Sequence, residues 1–300
     1  MKKVIIWGLK NTRNSLRFIH KGFYENFVKL GYETYWVDDK PNNQEINSGV
    51  FFVSNVASQH IKFEKNSIYI LHNMNLTKSE SDRLADNNIK YLNLQVYTKD
   101  SKGVKIDNAN TLFSQSTNTL FQPWGTPLLP NEWFDYVPKN RSRLEWWIGA
   151  VWNNSLNQGN VDTIRKYRKL LLKYNTILIR RGGSRLRING ISDFNNSRLI
   201  RNSRFGCTIV GEWQRRSSYI PCRLFKNLSF GIPPISNMNP PESFTNKLGF
   251  MSDIEQLLDF AIFEDEKNRK DRFNLAREEM KMFTYGKNIE RILKVIETGI

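Results

Sequence analysis

The run from Tyr219 to Asn237 restricts what this 300-residue chain can fold into more than any other stretch. Pro221 suits a helix start, where a backbone N–H has no partner to lose. Leu224, Phe225, Leu228 and Phe230 follow at helical spacing and give that helix an apolar side. Gly231 supplies a left-handed ending, and Pro233 forbids continuation. Ile232 to Ile235 then reads as a buried strand, closed by the polar pair Ser236 and Asn237. A helix that starts after a loop at the C-terminal edge of a parallel sheet offers free N–H groups to an anion. Arg223 in the first turn adds a fixed positive charge, so a diphosphate fits there.

The order Tyr219, Pro221, Arg223, Phe225, Ser229, Gly231, Pro233, Ser236, Asn237 resembles the donor-site segment of GT-B glycosyltransferases. In that fold two Rossmann-like domains face a cleft, and this segment holds the ribose and diphosphate of a sugar nucleotide. The resemblance implies that Arg223, Asn227 and the backbone of Tyr219, Ile220 and Pro221 bind the nucleotide diphosphate. Many retaining members carry a Glu-x7-Glu pair here. The corresponding places in this chain are Ser218 and Lys226, so the stereochemical outcome stays open. The same residues can also be read as a plain helix–strand junction of an α/β domain.

The rest of the chain reads as two strand–helix–strand series. Val4 to Trp7 is a short buried strand. Ser15 to Leu30 is a helix with Leu16, Ile19, Phe23, Phe27 and Leu30 on one side, and Thr34 to Val37 is a second strand. Gly49–Val53, Ser67–Leu71 and Tyr91–Val96 are further strands. Thr77 with Glu80 forms a capping box for a polar helix. Leu120 to Pro130 is a Pro- and Gly-punctuated connector whose aromatics are expected to pack along a cleft. The polar run 138–143 is read as the domain boundary. Leu144–Val151, a helix over 161–174 with Ile164, Leu171 and Leu172 inward, and Thr176–Ile179 follow. A helix over 193–202 and a strand Phe205–Val210 complete the second series. The expected architecture is α/β and GT-B-like: residues 1–140 as acceptor domain, 141–285 as donor domain, and a C-terminal helix, 286–300, that crosses back to the first domain.

Net charge is +16, and its placement is informative. From Lys139 to Arg223 there are eighteen basic residues against four acidic ones, Glu145, Asp162, Asp193 and Glu212. Such a belt implies an anionic partner, whether a nucleotide diphosphate, a nucleic-acid backbone, an anionic lipid or a glycan, unless it is a solvated face. No run approaches the ~20 apolar residues of a membrane span. The apolar run near the start is too short for a signal peptide. Cys207 and Cys222, both in apolar surroundings, read as reduced thiols of a cytoplasmic protein.

Several chemistries lack their motifs. After Gly8 no G-x-G-x-x-G follows, so a nicotinamide enzyme is rejected, and neither a P-loop nor a G-x-S-x-G elbow is present. Three histidines without an H-E-x-x-H pattern and only two cysteines offer no metal set, so no metal or other cofactor is expected. What remains is metal-independent group transfer. Arg180, Arg181 and Gly182 follow a strand and suit a departing diphosphate, or form a plain basic loop. Glu212 ends another strand and can accept from ribose or sugar hydroxyls, or pair with Arg215 or Arg216. An inverting transfer needs a base for the acceptor hydroxyl, and His72 at a strand end suits it, with His20 and Asp38 or Asp39 as alternatives. By the GT-B resemblance, Asn11 and Arg13 on the loop after the first strand contact the acceptor.

The reading is a glycosyltransferase that moves a sugar from a nucleoside-diphosphate sugar to a glycan or other hydroxyl acceptor. Two rivals stand beside it: a nucleic-acid-directed protein, either a modifying transferase or a binder, and a non-catalytic nucleotide-binding protein on the same fold.

Overall fold

The computed structural model describes residues 3–11, 16–38, 48–54, 62–72, 76–96, 113–139, 141–156, 158–181, 193–239 and 246–299. The chain divides into two compact units, one of Met1–Pro127 with Tyr285–Ile300 and one of Leu128–Thr284. The division at Leu128 comes ahead of the polar run 138–143.

The first unit is built on a seven-stranded sheet. Its strands are β1 (Val4–Trp7), β2 (Thr34–Val37), β3 (Val50–Ser54), β4 (Ile68–His72), β5 (Lys90–Gln95), β6 (Phe113–Ser114) and β7 (Thr119–Phe121). They lie in the order β2-β1-β3-β4-β5-β7-β6, parallel except for β6 against β7. The strands are apolar on both sides because both faces are covered, as parallel sheets require. On one face Ile5, Trp7, Phe51, Val53, Tyr69 and Leu71 pack with Leu84 of α2 (Lys78–Asp86). On the other, Phe52 meets Phe23 of α1 (Leu16–Lys29) at 4.3 Å between ring centroids. Phe23 in turn meets Tyr285 at 5.0 Å. Tyr285 opens the final helix, Tyr285–Gly299, so the chain's last segment completes the first unit. Burying a phenylalanine such as Phe23 or Phe52 is worth about 1.5–3 kcal/mol, so this aromatic layer is a main anchor of the sheet. The Thr77–Glu80 capping box forms: Thr77 Oγ1 accepts from the Glu80 N–H at 3.2 Å, and Glu80 Oε2 accepts from the Thr77 N–H at 2.7 Å.

Two details of the first unit differ from the sequence expectation. Leu30, placed on the inward side of α1, is 38% exposed because the helix ends at Lys29 and the chain turns away. The connector's Trp124 is buried within this unit, edge-on to His72 at 4.4 Å.

The second unit has a parallel pair, β8 (Leu144–Ile148) and β9 (Ile177–Arg181). Around it lie α3 (Val161–Lys173), α4 (Asp193–Arg201), α5 (Glu212–Arg216), α6 (Cys222–Ser229), α7 (Ile254–Phe263) and α8 (Glu266–Met280), and the final helix of the chain is α9. The strand expected over 205–210 is instead an extended segment with one parallel bridge, Thr208 to Ser236, and Ser236 bridges on to Phe250. Side chains do the pairing that a ladder would do. Asn237 takes the Val210 N–H on Oδ1 at 2.7 Å and donates Nδ2 to the Val210 carbonyl at 3.0 Å. Ser236 Oγ donates to the Thr208 carbonyl at 2.5 Å. On α3 the inward residues are Ile164, Tyr167, Leu170 and Leu171, whereas Leu172 is 58% exposed. The apolar stripe is therefore set by Leu170, one residue before the pair the sequence suggested.

Candidate functional site

Helix α6 is fixed at both ends by its sequence. Pro221 is its N-cap, in extended geometry (φ −73°, ψ 146°), and no side chain caps the first N–H groups. Leu224, Phe225 and Leu228 bury one side against Phe273 and Met280. At the far end the Ile232 N–H bonds the Asn227 carbonyl at 3.0 Å and the Gly231 N–H bonds that of Leu228 at 2.9 Å. That is a Schellman ending, and Gly231 has the positive φ it needs, +91°. A Cβ on Gly231 would also run into the carbonyl of Asp135, so the position is closed to other residues.

The start of α6 lies at the C-terminal end of β8. Arg223 Nε donates to the Ile148 carbonyl at 3.1 Å, and its guanidinium carbon sits 3.5 Å from the ring centroid of Trp147. Gly149, at φ +151°, leaves the space that one end of the guanidinium occupies. Burial draws the Arg223 pKa down to about 10, which leaves it charged at neutral pH. Its two terminal nitrogens have no protein partner among the described residues, so the group keeps donors to offer. Sequence reading placed Arg223 correctly on the helix's first turn but gave no hint of Trp147 and Gly149, which hold it from 76 and 74 positions away.

The other donor candidates fall into distinct roles. Tyr219 and Pro221 are half-buried at the turn before α6, and Ile220 is buried. That turn is held by the Tyr219 N–H on the Gln214 carbonyl at 2.9 Å and by Ser218 in left-handed geometry. Asn227 is 1% exposed and donates to the Gly206 carbonyl at 2.7 Å, tying α6 to the loop after α4. Glu212 begins α5 and grips Arg215 through contacts at 2.8, 2.9 and 3.1 Å, with Arg216 at 3.6 Å. The hydrogen bonds from Arg215 hold its carboxyl below the usual range, so its acceptors are already engaged. Arg180 is exposed on β9. Gly182 and the Arg181 side chain lie outside the described residues.

A further rim was visible in the sequence only as an Asn-rich stretch. After β8, Asn160 takes the Trp152 N–H on Oδ1 at 3.0 Å, and Asn153 Oδ1 takes the Gly159 N–H at 3.0 Å. These bonds tie residues 158–160 back to residues 152–153, beside Gly211, the residue that opens α5.

Beneath the site, Glu145 of β8 is 1% exposed. Its carboxylate accepts from the N–H groups of Phe205, Gly206 and Cys207 at 2.9, 3.2 and 3.0 Å, and from the Tyr167 hydroxyl at 3.1 Å. It anchors the loop that Asn227 holds from the other side. Cys207 and Cys222 are both free thiols.

In the first unit the sheet's strand order reverses between β1 and β3, the place where doubly wound sheets leave a crevice. The loop after β1 reaches it. Asn11 Nδ2 donates to the Asp38 carboxylate, which joins the candidate acceptor contact to one candidate base. Arg13 and Asp39 lie outside the described residues. His72 ends β4, three strands from β2, or about 14 Å at the usual strand spacing. It is buried, and its Nδ1 lies 2.9 Å from Nε2 of His20 on α1. Burial drives the His20 pKa to about 3, against a weaker pull from the Gly8 carbonyl, and burial with the His20 charge drives His72 well below its usual value. His72 thus belongs to a neutral buried pair, and the structure does not bring it together with Asp38.

Among the described residues, no three His, Cys, Asp or Glu are grouped to hold a metal, and no helix is long and apolar enough to cross a membrane.

No family model matches the chain, and no curated protein matches it by sequence. Among solved structures it is similar to an alpha-glucosyltransferase in complex with UDP and a 13-mer DNA containing a central A:G mismatch. The TM-score is 0.57 at 10% identity, over 99% of each chain. It is also similar to an alpha-glucosyltransferase in complex with UDP and a 13-mer DNA containing an HMU base, with a TM-score of 0.50 at 10% identity, over 97% of this chain and 99% of that one. The likeness spans both units and establishes the fold: the chain is α/β with the GT-B architecture.

Proposed function

We propose that the protein is a sugar-nucleotide-dependent glycosyltransferase whose second unit binds the nucleoside diphosphate at the start of α6. The observation that carries this reading is Arg223, held in place by Trp147 and Ile148 beside an uncapped helix N-terminus, on a GT-B fold. N–H groups and a forked cation at one point suit a diphosphate in the ground state and a departing one in the transition state. Arg180 and Arg181 add charge for the same purpose. The first unit would hold the acceptor, with Asn11 as a contact and Asp38 as base, since His72 is buried against His20. The reaction then needs no metal for its leaving group, because arginines and the helix dipole take that part.

Among hydroxyl acceptors, one carried on a nucleic acid is favoured. The belt from Lys139 to Arg223 gives the second unit a strong positive field, and the two similar structures were solved with DNA. Fold-level likeness is analogy, so the test is direct. Thermal shift against nucleoside diphosphates and sugar nucleotides, with and without Mg2+, should single out one nucleotide class. A ligand at about 100 times its Kd adds about 2.7 kcal/mol of stability. No shift from any of them overturns the donor-site assignment.

A further inference from the structure

The second unit carries a concavity of about 420 Å³, lined in part by Lys139, Arg141, Arg143, Arg204, Tyr174 and Phe205. It lies at the opposite end of the β8–β9 pair from α6. The Arg204 N–H bonds the Leu144 carbonyl at 2.8 Å, and the Ile177 N–H bonds that of Arg143 at 2.8 Å, so its walls meet both strands where they begin. Arg223 meets β8 four residues further on, at Ile148, about 13 Å along the strand. The concavity is therefore separate from the donor segment.

Its charge is one-sided. Arg204 is fixed: Nη1 donates to Thr176 Oγ1 at 2.8 Å and to the Tyr174 carbonyl, and the guanidinium lies 5.2 Å from the Phe205 ring centroid. Lys139 Nζ is fixed by the carbonyls of Glu264, at 3.1 Å, and Ile262. Among the described residues no carboxylate lines it, and the nearby acids already hold partners. Glu264 pairs with Arg272 at 2.7 Å, Glu266 takes the Tyr136 hydroxyl at 2.6 Å and the Lys139 N–H at 3.2 Å, and Asp259 takes the Tyr174 hydroxyl at 2.7 Å. Arg141 and Arg143 are exposed and have no ion pair among the described residues. Burial, then the charge of Arg269, hold the Lys139 ammonium below its usual pKa against the opposing pull of Glu264 and Glu266. Phe263, next in the chain to the lining residue Ile262, is 80% exposed.

We propose that this concavity is a second phosphate site, one that takes the phosphodiester backbone of a polynucleotide bound by the same molecule. An open row of cations, two of them on exposed side chains, suits a strand of repeated phosphates better than a single enclosed ion, and an exposed aromatic suits an adjacent base. The proposal rests on the nucleic-acid reading of the acceptor.

The test is fluorescence anisotropy of labelled single-stranded and duplex oligonucleotides over a series of NaCl concentrations. It compares the full-length protein, the double variant Arg141→Ala/Arg143→Ala, and a control of equal charge loss, Arg168→Ala/Lys169→Ala, on the exposed side of α3. The first variant should flatten the plot of log affinity against log salt by about 1.4 to 1.8, from two lost phosphate contacts. It should leave the stabilisation by nucleoside diphosphate intact, and the control should flatten the plot far less. Equal slopes in wild type and variant, or equal losses in variant and control, overturn the site while leaving the acceptor reading standing. Failure of the wild type to bind oligonucleotide, with tripolyphosphate still binding through Arg141 and Arg143, overturns both the polynucleotide assignment and the acceptor reading. Binding of neither probe overturns the phosphate site altogether.

Discussion

The guanidinium of Arg223 lies 3.5 Å from the centroid of the Trp147 ring, stacked over the end of strand β8 rather than free in solvent. Stacking fixes its direction in advance, so a diphosphate that meets it does not have to order a long side chain first. A cation held on an indole face with reduced hydration is worth about 2 kcal/mol.

Arg223→Lys keeps the charge and loses the stack and the forked donors. Stability should change by about 1–2 kcal/mol, whereas affinity for nucleoside diphosphate should fall at least about tenfold. Calorimetric titration of the two proteins with the same nucleotide checks this, and unchanged affinity would remove Arg223 from the site.

Gly149→Ala tests the same place from the other side. The new methyl would collide with the end of the Arg223 guanidinium, at a backbone φ of +151° that side chains rarely adopt. The expected result is a loss of about 1–3 kcal/mol in stability together with weakened nucleotide binding. Denaturant unfolding and nucleotide titration report the two effects separately.

Glu145→Gln tests the buried anchor. The carboxylate accepts four hydrogen bonds, and an amide would set its NH2 against N–H donors, at a cost of about 1–3 kcal/mol in stability. Burial raises the Glu145 pKa above 4.5, so the folded state binds its proton more tightly than the unfolded one. Its contribution to stability therefore declines as pH rises from about 4.5 through the folded pKa. The variant should lose that pH dependence, measurable as urea midpoints.

The His20–His72 pair predicts the opposite slope. Both pKa values are lowered on folding, His20 from 6.5 to about 3, so the unfolded state binds protons that the folded state refuses. Stability should fall as pH drops below 6.5, by about 1.4 kcal/mol per pH unit for each histidine. His72→Gln should about halve the slope between pH 6.5 and 5.5. A wild-type stability flat over that range would mean that the rings titrate freely.

Local signals in the sequence carried far. The α6 helix, its glycine ending, the Thr77 capping box and the parallel strands of the first unit are written in spacings of a few residues. What could not be read depends on partners far apart in the chain. Phe205 to Val210 looks like a strand by composition, but in the structure Asn237 and Ser236 do the pairing and the ladder is reduced to single bridges. Leu172 matched the helical stripe, yet Tyr167 and Leu170 face the core and Leu172 does not. Glu212 was poised between a ligand and its own arginines, and a spacing of three residues on a helix favours Arg215. The anchor Glu145 and the stack of Trp147 under Arg223 have no local signature at all, since each is defined by residues 22 to 76 positions away.

The most direct test of the central claim is transfer itself. The protein is incubated with a radiolabelled sugar nucleotide of the class that stabilises it, in the presence of hydroxyl-bearing oligonucleotides or glycans, and label is followed into the acceptor. The account predicts incorporation that depends on Arg223 and is greatest with an oligonucleotide acceptor. A protein that binds the sugar nucleotide through Arg223, yet neither transfers the sugar to any acceptor nor releases it to water, would contradict the account and leave a nucleotide-binding protein on a transferase fold.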